Sequence, residues 1–382
     1  MKIINSKVFI NGKFHEDLQV KFNQEKILEI GNNLEDDEVI DAKGNYLYAG
    51  IIDCHNHGGW RRSFSDLDNS ENFEENIKFL TSKLPSHGVT TVWPTLDGPH
   101  YEINPRSVRR IRKIKNECQG AKIGKFQFEG VFMSLERYMS PDSKNPDIEY
   151  TNYLVDNDYS DIGLFHVAPN LQGSMEWIDY MVSKGVEVAV GDCNSKTEDV
   201  IEAANHGLRH ADHMFNGFEP MHHRNNGTAV GVMLDDRIVC QLTCDGYHVS
   251  EAWVKLLIKI KGLKNIYGVS DQSHCSGIKE GERFFTEGKE VIAKDGFIRY
   301  LDGNIVSGNM AINETMNAAM KRLHLSREEV ACLYCENVAD CLKIKDRGKI
   351  EIGRTSDFVI MDDNFNVLQT IIDGQTYYKV KD

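Results

Sequence analysis

The sequence predicts an α/β protein whose centre is a (β/α)8 barrel of the TIM type, with a small β-sandwich built from both termini. Eight apolar runs of β-type residues lie in the middle of the chain, and most are separated by stretches with helical spacing. Strands that alternate with helices form a parallel sheet, and eight strands close a barrel. Short strand-like runs occupy both ends of the chain.

The two ends read as short strands broken by turns. The N-terminal part contains KIINSKVFI, LQVKF, KILEIG and EVIDA, and the C-terminal part contains GKIEIG, SDFVIMDD, NVLQTIIDG and TYYKV. Neither end carries enough apolar residues to form a core alone. We therefore expect residues 1–47 and 346–382 to form one small β-sandwich domain, and residues 48–345 to form the barrel.

The central strands are expected at eight apolar runs. In chain order these are YLYAGIID, VTTVWPT, KIGKFQFEG, LFHVAP, VEVAVGD, LRHADHMF, IVCQLTCD and IYGVSD. Helices between them are expected at NFEENIKFLTSKLPSHG, SMEWIDYMVSKG, KTEDVIEAANHG and SEAWVKLLIKIKG, where apolar residues recur every three or four positions.

Composition excludes several classes of protein. The 382 residues include 44 Lys and Arg against 58 Asp and Glu, a net charge of −14, whereas a nucleic-acid binder needs a basic surface. No apolar run approaches the ~18 residues of a membrane span, and the N-terminus lacks the apolar region of a signal peptide. The nine cysteines lack framework spacing, so we expect reduced thiols in the cytoplasm.

The stretch YAGIIDCHNHGG places His55 and His57 at the end of the first barrel strand. Residues i and i+2 of a strand point to the same side, so both imidazoles would converge on one point. They could be two surface histidines on a loop, or two ligands of one metal ion, since imidazole is a common zinc ligand. The motif is too short to decide between them.

Other strand ends also carry polar side chains, and these favour the metal site. The active sites of such barrels lie at the carboxyl ends of the strands. An isolated acid there is better explained as a helix N-cap, but six strands with such residues are not. The strand-end residues beyond the histidine pair are Glu129, Asp192, His213, Asp245, His248 and Asp271.

The chain resembles the N-acetylglucosamine-6-phosphate deacetylases of the amidohydrolase superfamily, nearly from end to end. The matching stretches are GIIDCHNHGG, HGVTTVWPTL, FEGVF, HMFNGFEPMHHRNNG, CDGYHV, VSD, SGNMA and the tail from GKIEIG to TIIDG. HMFNGFEPMHHRNNG is the most specific of them. The first motif and the tail identify only the superfamily.

The resemblance implies roles for individual residues. His55 and His57 match a pair that binds metal in some members, Glu129 matches the principal metal ligand, and His213 matches a histidine ligand. Asp271 matches the catalytic acid and base. The positions that match the sugar-phosphate site are Asn216, Gly217, His223, Arg224 and His248. In the family the His-Arg pair can reach the neighbouring subunit's site, which implies a homodimer.

The implied cofactor is one or two divalent ions, with zinc expected first. Where the family has a histidine on the fifth strand, this chain has Asp192, which either binds metal or hydrogen-bonds a ligating histidine. Direct ligation would make the site richer in oxygen and favour manganese or iron. Asp212 and Asn170 stand where the family has Thr and Glu, and the loop after FEGVF lacks the family's Lys-Gly-Ala-His-type stretch.

Three functions are compatible with these residues. The first is metal-dependent deacetylation of an amino-sugar 6-phosphate, either N-acetylglucosamine 6-phosphate or its galacto epimer. The second is hydrolysis of another N-acyl or cyclic amide on the same scaffold. The third is a catalytically silent binding protein whose metal site has decayed at Asp192. The expected partner is thus a small molecule, with neither nucleic acid nor membrane involved.

Overall fold

A (β/α)8 barrel lies at the centre of the protein, as predicted. The computed structural model describes residues 1–98, 102–134, 144–286 and 289–381. Within them the parallel barrel strands are Ile51–Asn56, Val89–Asp97, Phe126–Phe132, Ile162–Val167, Glu187–Val190, His210–Ala211, Val239–Leu242 and Ile266–Gly268. Each pairs with the next in chain order. A parallel bridge between Asn56 and Gln272 closes the ring.

Helices follow most of the barrel strands, including the four that the sequence predicts. Their bounds are Phe73–Lys83, Ile103–Ile114, Ile148–Leu154, Ser174–Ser183, Thr197–Asn205, Thr228–Leu234, Glu251–Lys261 and Ile312–Arg322, and a continuous helical segment runs through Arg327–Ala331, Cys332–Glu336 and Asn337–Cys341. Among the described residues, no helix combines the length and apolar character needed to cross a membrane.

The barrel strands are buried on both faces, because side chains fill the interior and helices cover the outside. All but the last residue of Val89–Asp97 is buried, and so is the whole of Ile162–Val167. Phe128 and Phe165 stack with ring centroids 4.8 Å apart in the same core. This packing holds the carboxyl ends of the strands in a rigid ring.

Two smaller sheets are built from the termini, the first from N-terminal strands alone and the second from strands of both ends. One contains, in spatial order, Ile27–Gly31, Gln19–Phe22, Lys2–Ile4 and Val39–Asp41; the other contains Gln375–Lys379, Val367–Ile372, Phe358–Met361, Tyr46–Ala49, Lys7–Ile10 and Lys13–His15. Phe22 and Phe358 pack against each other between the two sheets, with ring centroids 4.9 Å apart. The sandwich is confirmed, and the domain boundaries at 47/48 and 345/346 stay predictions.

Two sequence segments fold differently from the prediction. The run YLYAGIID is not one strand: Tyr46–Ala49 joins the sandwich and Ile51–Asn56 joins the barrel. A β-carbon on Gly50, between them, would lie 2.3 Å from Thr90 Oγ1, so glycine allows this close crossing. The predicted strand GKIEIG instead forms turns, because its two glycines adopt φ of +79° and +92°.

A four-stranded antiparallel sheet follows the eighth barrel strand, and the sequence did not predict it. Its strands are Arg283–Thr286, Lys289–Lys294, Phe297–Tyr300 and Ile305–Gly308. It has a small core of its own, formed by Val291, Ala293 and Ile298 with Cys275. Its last strand reaches the carboxyl ends of the barrel strands and forms a wall there.

Candidate active site

A cavity of about 740 Å³ opens at the carboxyl ends of the barrel strands. Its far wall is the strand Ile305–Gly308 of the additional sheet. The predicted site residues that line it are His57, Glu129, Asp192, His213, Asn216, Gly217, His248 and Asp271. His55 lies fully buried beneath them. Residues from strands far apart in the sequence therefore meet in one place.

The Glu129 carboxylate lies at the centre of this group. Its Oε2 is 2.9 Å from Nε2 of both His55 and His57. Its Oε1 is 2.6 Å from Nε2 of His213. One carboxylate thus joins the first-strand histidine pair to the sixth-strand histidine, as a bridging metal ligand would.

Asp271 also lies close to the first-strand histidines. Its Oδ1 is 3.4 Å from His55 Nε2 and 3.7 Å from His57 Nε2. One ligand atom from each of these three residues lies within 4.8 Å of the others. Asp271 also lines the cavity, so its carboxylate can meet a bound molecule.

The second ring nitrogen of His55 is held by a buried polar network. Its Nδ1 is 2.8 Å from Gln241 Oε1 and 3.2 Å from Asp212 Oδ1. The amide of Gln127 lies 3.0 Å from the same nitrogen and donates to Asp212. Ligating histidines commonly contact a carboxylate or amide through the other nitrogen, which orients Nε2 toward the metal.

Asp192 occupies the cavity wall next to His166, a histidine of the fourth strand. The Asp192 Oδ2 is 3.8 Å from His166 Nε2, and ligand atoms of these two residues and Glu129 lie within 4.8 Å of one another. A β-carbon on Gly217 would lie 2.2 Å from Asp192 Oδ1. Glycine at 217 therefore lets the loop after the sixth strand pack against Asp192.

The electrostatics of the cluster favour positive charge. Burial alone would lower the pKa of the imidazoles, but the carboxylates outweigh it, so the pKa of His57 rises to about 10 and those of His55 and His213 also rise. Burial would raise the pKa of Asp271, yet His55 and His57 bring it to about 2. A divalent cation supplies such charge while the imidazoles stay neutral, so the donor set fits a metal.

Three strand-end residues of the cluster have left-handed backbone conformations. The φ angles of Asp192, His213 and Asp271 are +41°, +21° and +50°. Such conformations cost about 1–3 kcal/mol each and persist where the surroundings impose them, often at functional sites. The fold therefore holds these side chains against a local preference.

The predicted sugar-phosphate residues fall into two groups. Asn216, Gly217 and His248 line the cavity, and His248 Nδ1 lies 2.6 Å from Asp245 Oδ2, which fixes its ring. His223 and Arg224 do not line it. They lie on an exposed loop, where Arg224 Nη1 is 2.8 Å from His223 Nε2.

Sequence reasoning missed His166, Gln127 and Gln241 as parts of this site. Each lies in the middle part of an apolar run that the sequence predicts as a strand rather than near its end, so strand-end position did not single it out. Asp212 stood out only as a departure from the family. Asn170, the other departure, accepts hydrogen bonds from Ser134 and Ser195. Residues 135–143 of the loop after FEGVF are not among the residues that the structure describes.

The model of the amidohydrolase family matches residues 46–377. The chain belongs to the amidohydrolase family. It is accordingly a hydrolase, and the match covers the whole barrel and most of the C-terminal strands of the sandwich. Polar residues at the carboxyl ends of the strands are therefore expected to carry its chemistry.

Among known amidohydrolases, the chain is similar to N-acetylglucosamine-6-phosphate deacetylases, which confirms the resemblance. The Bacillus subtilis (strain 168) enzyme is 26% identical over 344 residues, 88% of this chain and 85% of that protein. The Pasteurella multocida structure has a TM-score of 0.86 at 22% identity and covers 98% of both chains. A Mycobacterium smegmatis variant in complex with N-acetyl-D-glucosamine-6-phosphate also has a TM-score of 0.86, at 20% identity with 99% coverage of both.

Proposed function

We propose that the protein hydrolyses the N-acetyl group of an amino-sugar 6-phosphate to give acetate and the free amino-sugar phosphate. The substrate is N-acetylglucosamine 6-phosphate or its galacto epimer. One observation carries the proposal: Glu129 contacts His55 and His57 through one oxygen and His213 through the other, beside Asp271. The similarity to named deacetylases along 88% of the chain supports this substrate class.

The residues that would hold one or two divalent ions are His55, His57, Glu129, Asp192 and His213. A cation there supplies Lewis acidity to the amide carbonyl and lowers the pKa of water. Zinc suits the imidazoles, whereas the carboxylates of Glu129 and Asp192 also suit manganese or iron.

Asp271 would carry the proton transfers. The positive charge around it holds the pKa of its carboxyl below the usual range, so it is ionised at neutral pH and can accept a proton from water. It then donates that proton to the nitrogen of the leaving amine, which is a poor leaving group until protonated. Its Oδ1 lies 3.4 Å from His55 Nε2 at the cavity lining, which puts it beside the residues that would hold the ion.

Asn216, Gly217 and His248 would bind the sugar at the cavity wall. His223 and Arg224 would bind the phosphate in the site of a neighbouring subunit, in a homodimer. Their exposed position outside their own cavity supports this arrangement, and the planar guanidinium of Arg224 suits a phosphate. None of the nine cysteines, all of which lie among the described residues, forms a disulfide, which fits a reducing cytoplasmic location.

Acetate release tests the proposal. The metal-loaded protein is assayed with N-acetylglucosamine 6-phosphate, its galacto epimer and both sugars without phosphate. We expect turnover of a phosphorylated sugar and little of the unphosphorylated ones. Turnover only of other N-acyl or cyclic amides would replace the substrate assignment, and a metal-loaded protein inactive on every amide would indicate a binding role.

A further inference from the structure

His166 lies in the fourth barrel strand beside the candidate metal centre, and the proposed function gives it no role. Its side chain is fully buried. The ring lies against Gly191 of the fifth strand, where an added β-carbon would be 2.6 Å from His166 Nδ1. Because a buried imidazole needs partners for both nitrogens, those partners show what the residue can do.

The two nitrogens of His166 have different partners. Nδ1 is 3.0 Å from Asp212 Oδ2, while Nε2 accepts a hydrogen bond from the backbone N–H of Gly130. Nε2 therefore carries the lone pair and Nδ1 carries the proton, which it donates to Asp212. This is the neutral tautomer of a histidine that binds metal through Nε2 and a carboxylate through Nδ1.

The lone pair of His166 lies beside two carboxylates. Nε2 is 3.8 Å from Asp192 Oδ2, and ligand atoms of His166, Asp192 and Glu129 all lie within 4.8 Å of one another. Two carboxylates and one neutral imidazole balance the charge of a divalent cation. An ion bound there would take the Nε2 lone pair from the Gly130 amide.

We infer that His166 ligates, through Nε2, a divalent cation that Glu129 and Asp192 also bind. The inference rests on the metal dependence of the proposed function and deepens it. The resemblance places a histidine ligand on the fifth strand, at the position of Asp192. In this chain the fifth strand supplies a carboxylate, and the neighbouring fourth strand supplies the imidazole.

A purely positioning role, in which His166 only holds Asp212, makes a different prediction. His166→Asn separates the two roles, because the asparagine amide can replace the Nδ1–H donor but places no atom at Nε2. His210→Asn is the matched control. His210 is a buried barrel histidine of the sixth strand, hydrogen-bonded to Tyr267 at 3.0 Å and outside the cavity.

The measurement is the number of ions per chain. The wild type and both variants are loaded with Zn²⁺, freed of excess metal by gel filtration and measured by mass spectrometry. We expect His166→Asn to hold about one ion per chain fewer than the wild type, and His210→Asn to match the wild type. The cobalt-loaded His166→Asn protein should also lose visible absorption. Unchanged ion content and an unchanged cobalt spectrum in His166→Asn would overturn the inference, whereas a wild type without metal would overturn the proposed function itself.

A double variant tests whether the histidine ligand has moved from the fifth strand, where the resemblance places it, to the fourth. Asp192→His in the His166→Asn background returns the imidazole to the fifth strand, so we expect the lost ion to return. Circular dichroism establishes that the double variant is folded. A folded double variant that still holds one ion per chain fewer than the wild type would overturn the inference that the imidazole ligand has moved between the strands.

Discussion

Histidine and carboxylate side chains lie close together at both ends of the barrel, but the other charged side chains near them differ. At the amino end, Glu187 lies 3.4 Å from His210 Nε2 and 2.5 Å from Lys343 Nζ. Arg209, Arg237 and Lys264 line the same hollow. At the carboxyl end, none of the described residues that line the cavity is a lysine or an arginine.

This difference separates a structural ion pair from a candidate metal centre. Lys343 neutralises Glu187 at the amino end, so no further cation is needed there. At the carboxyl end, the described groups that lower the pKa values of Glu129 and Asp271 are imidazoles, whose own pKa values rise in response. A histidine beside an acid is therefore no sufficient sign of a metal site; unmatched negative charge facing a cavity is the more informative feature.

The largest expected effect is at Asp271. Asp271→Asn keeps the shape but removes the base, so turnover of the sugar phosphate should fall ~10²–10⁴-fold with bound metal nearly unchanged. Acetate release and metal analysis of the same sample measure both. Glu187→Gln makes the equivalent change at the amino end and should leave turnover unchanged. Asp271→Asn activity within a few-fold of the wild type would contradict the assignment.

A metal-binding effect is expected next, at Asp192. If this carboxylate ligates directly, Asp192→Ala loses metal, whereas Asp192→His retains it with a preference shifted toward zinc. Competition between Zn²⁺ and Mn²⁺ followed by metal analysis measures both results. Full metal occupancy in Asp192→Ala, with activity only modestly reduced, would leave Asp192 as a hydrogen-bonding neighbour of the ligands.

A variant of Arg224 tests whether a basic side chain from outside the acidic cavity binds the phosphate of the substrate there. Loss of a charged hydrogen bond to phosphate should raise KM for the 6-phosphorylated sugar about 10–100-fold, and KM for the unphosphorylated sugar far less. Steady-state kinetics of Arg224→Ala on both sugars check this. Mixing Arg224→Ala with Asp271→Asn protein should restore some activity through hybrid dimers. Equal effects on both sugars would mean that Arg224 does not bind the phosphate.

The smallest effect is expected on stability at the amino end. Burial would raise the pKa of Glu187, but His210 and Lys343 lower it to about 2, against about 4.3 in an unfolded chain. Its stabilising contribution is therefore present above about pH 4.3 and is lost as the pH falls toward 2. Glu187→Gln should lower the free energy of unfolding by on the order of 1 kcal/mol at pH 7 and by less near pH 3. Denaturant unfolding at both pH values measures it, and a pH-independent difference would count against the ion pair.

Local pattern was enough to predict the barrel and much of its candidate site. The β/α alternation predicts parallel strands, whose carboxyl ends must share one edge, so Glu129, His213 and Asp271, expected at strand ends, were predicted to meet. In the structure Glu129 lies within its strand, Phe126–Phe132, and still lines the same cavity. His55 and His57 followed from the two-residue period of a strand. In RHADHMF, strand-end position also favoured His213 over His210, which the structure places at the opposite end.

The sequence by itself determined which residues each strand presents at its end, because side-chain alternation is a local property of an extended chain. Only the tertiary structure decided what lies beneath them: His166, Gln127, Gln241 and Asp212 contact the site from different strands. It also decided that the strand Ile305–Gly308 of the additional sheet forms a wall of the cavity. A strand pattern shows which side chains share a face, but the packing of eight strands into a closed ring sets which faces touch.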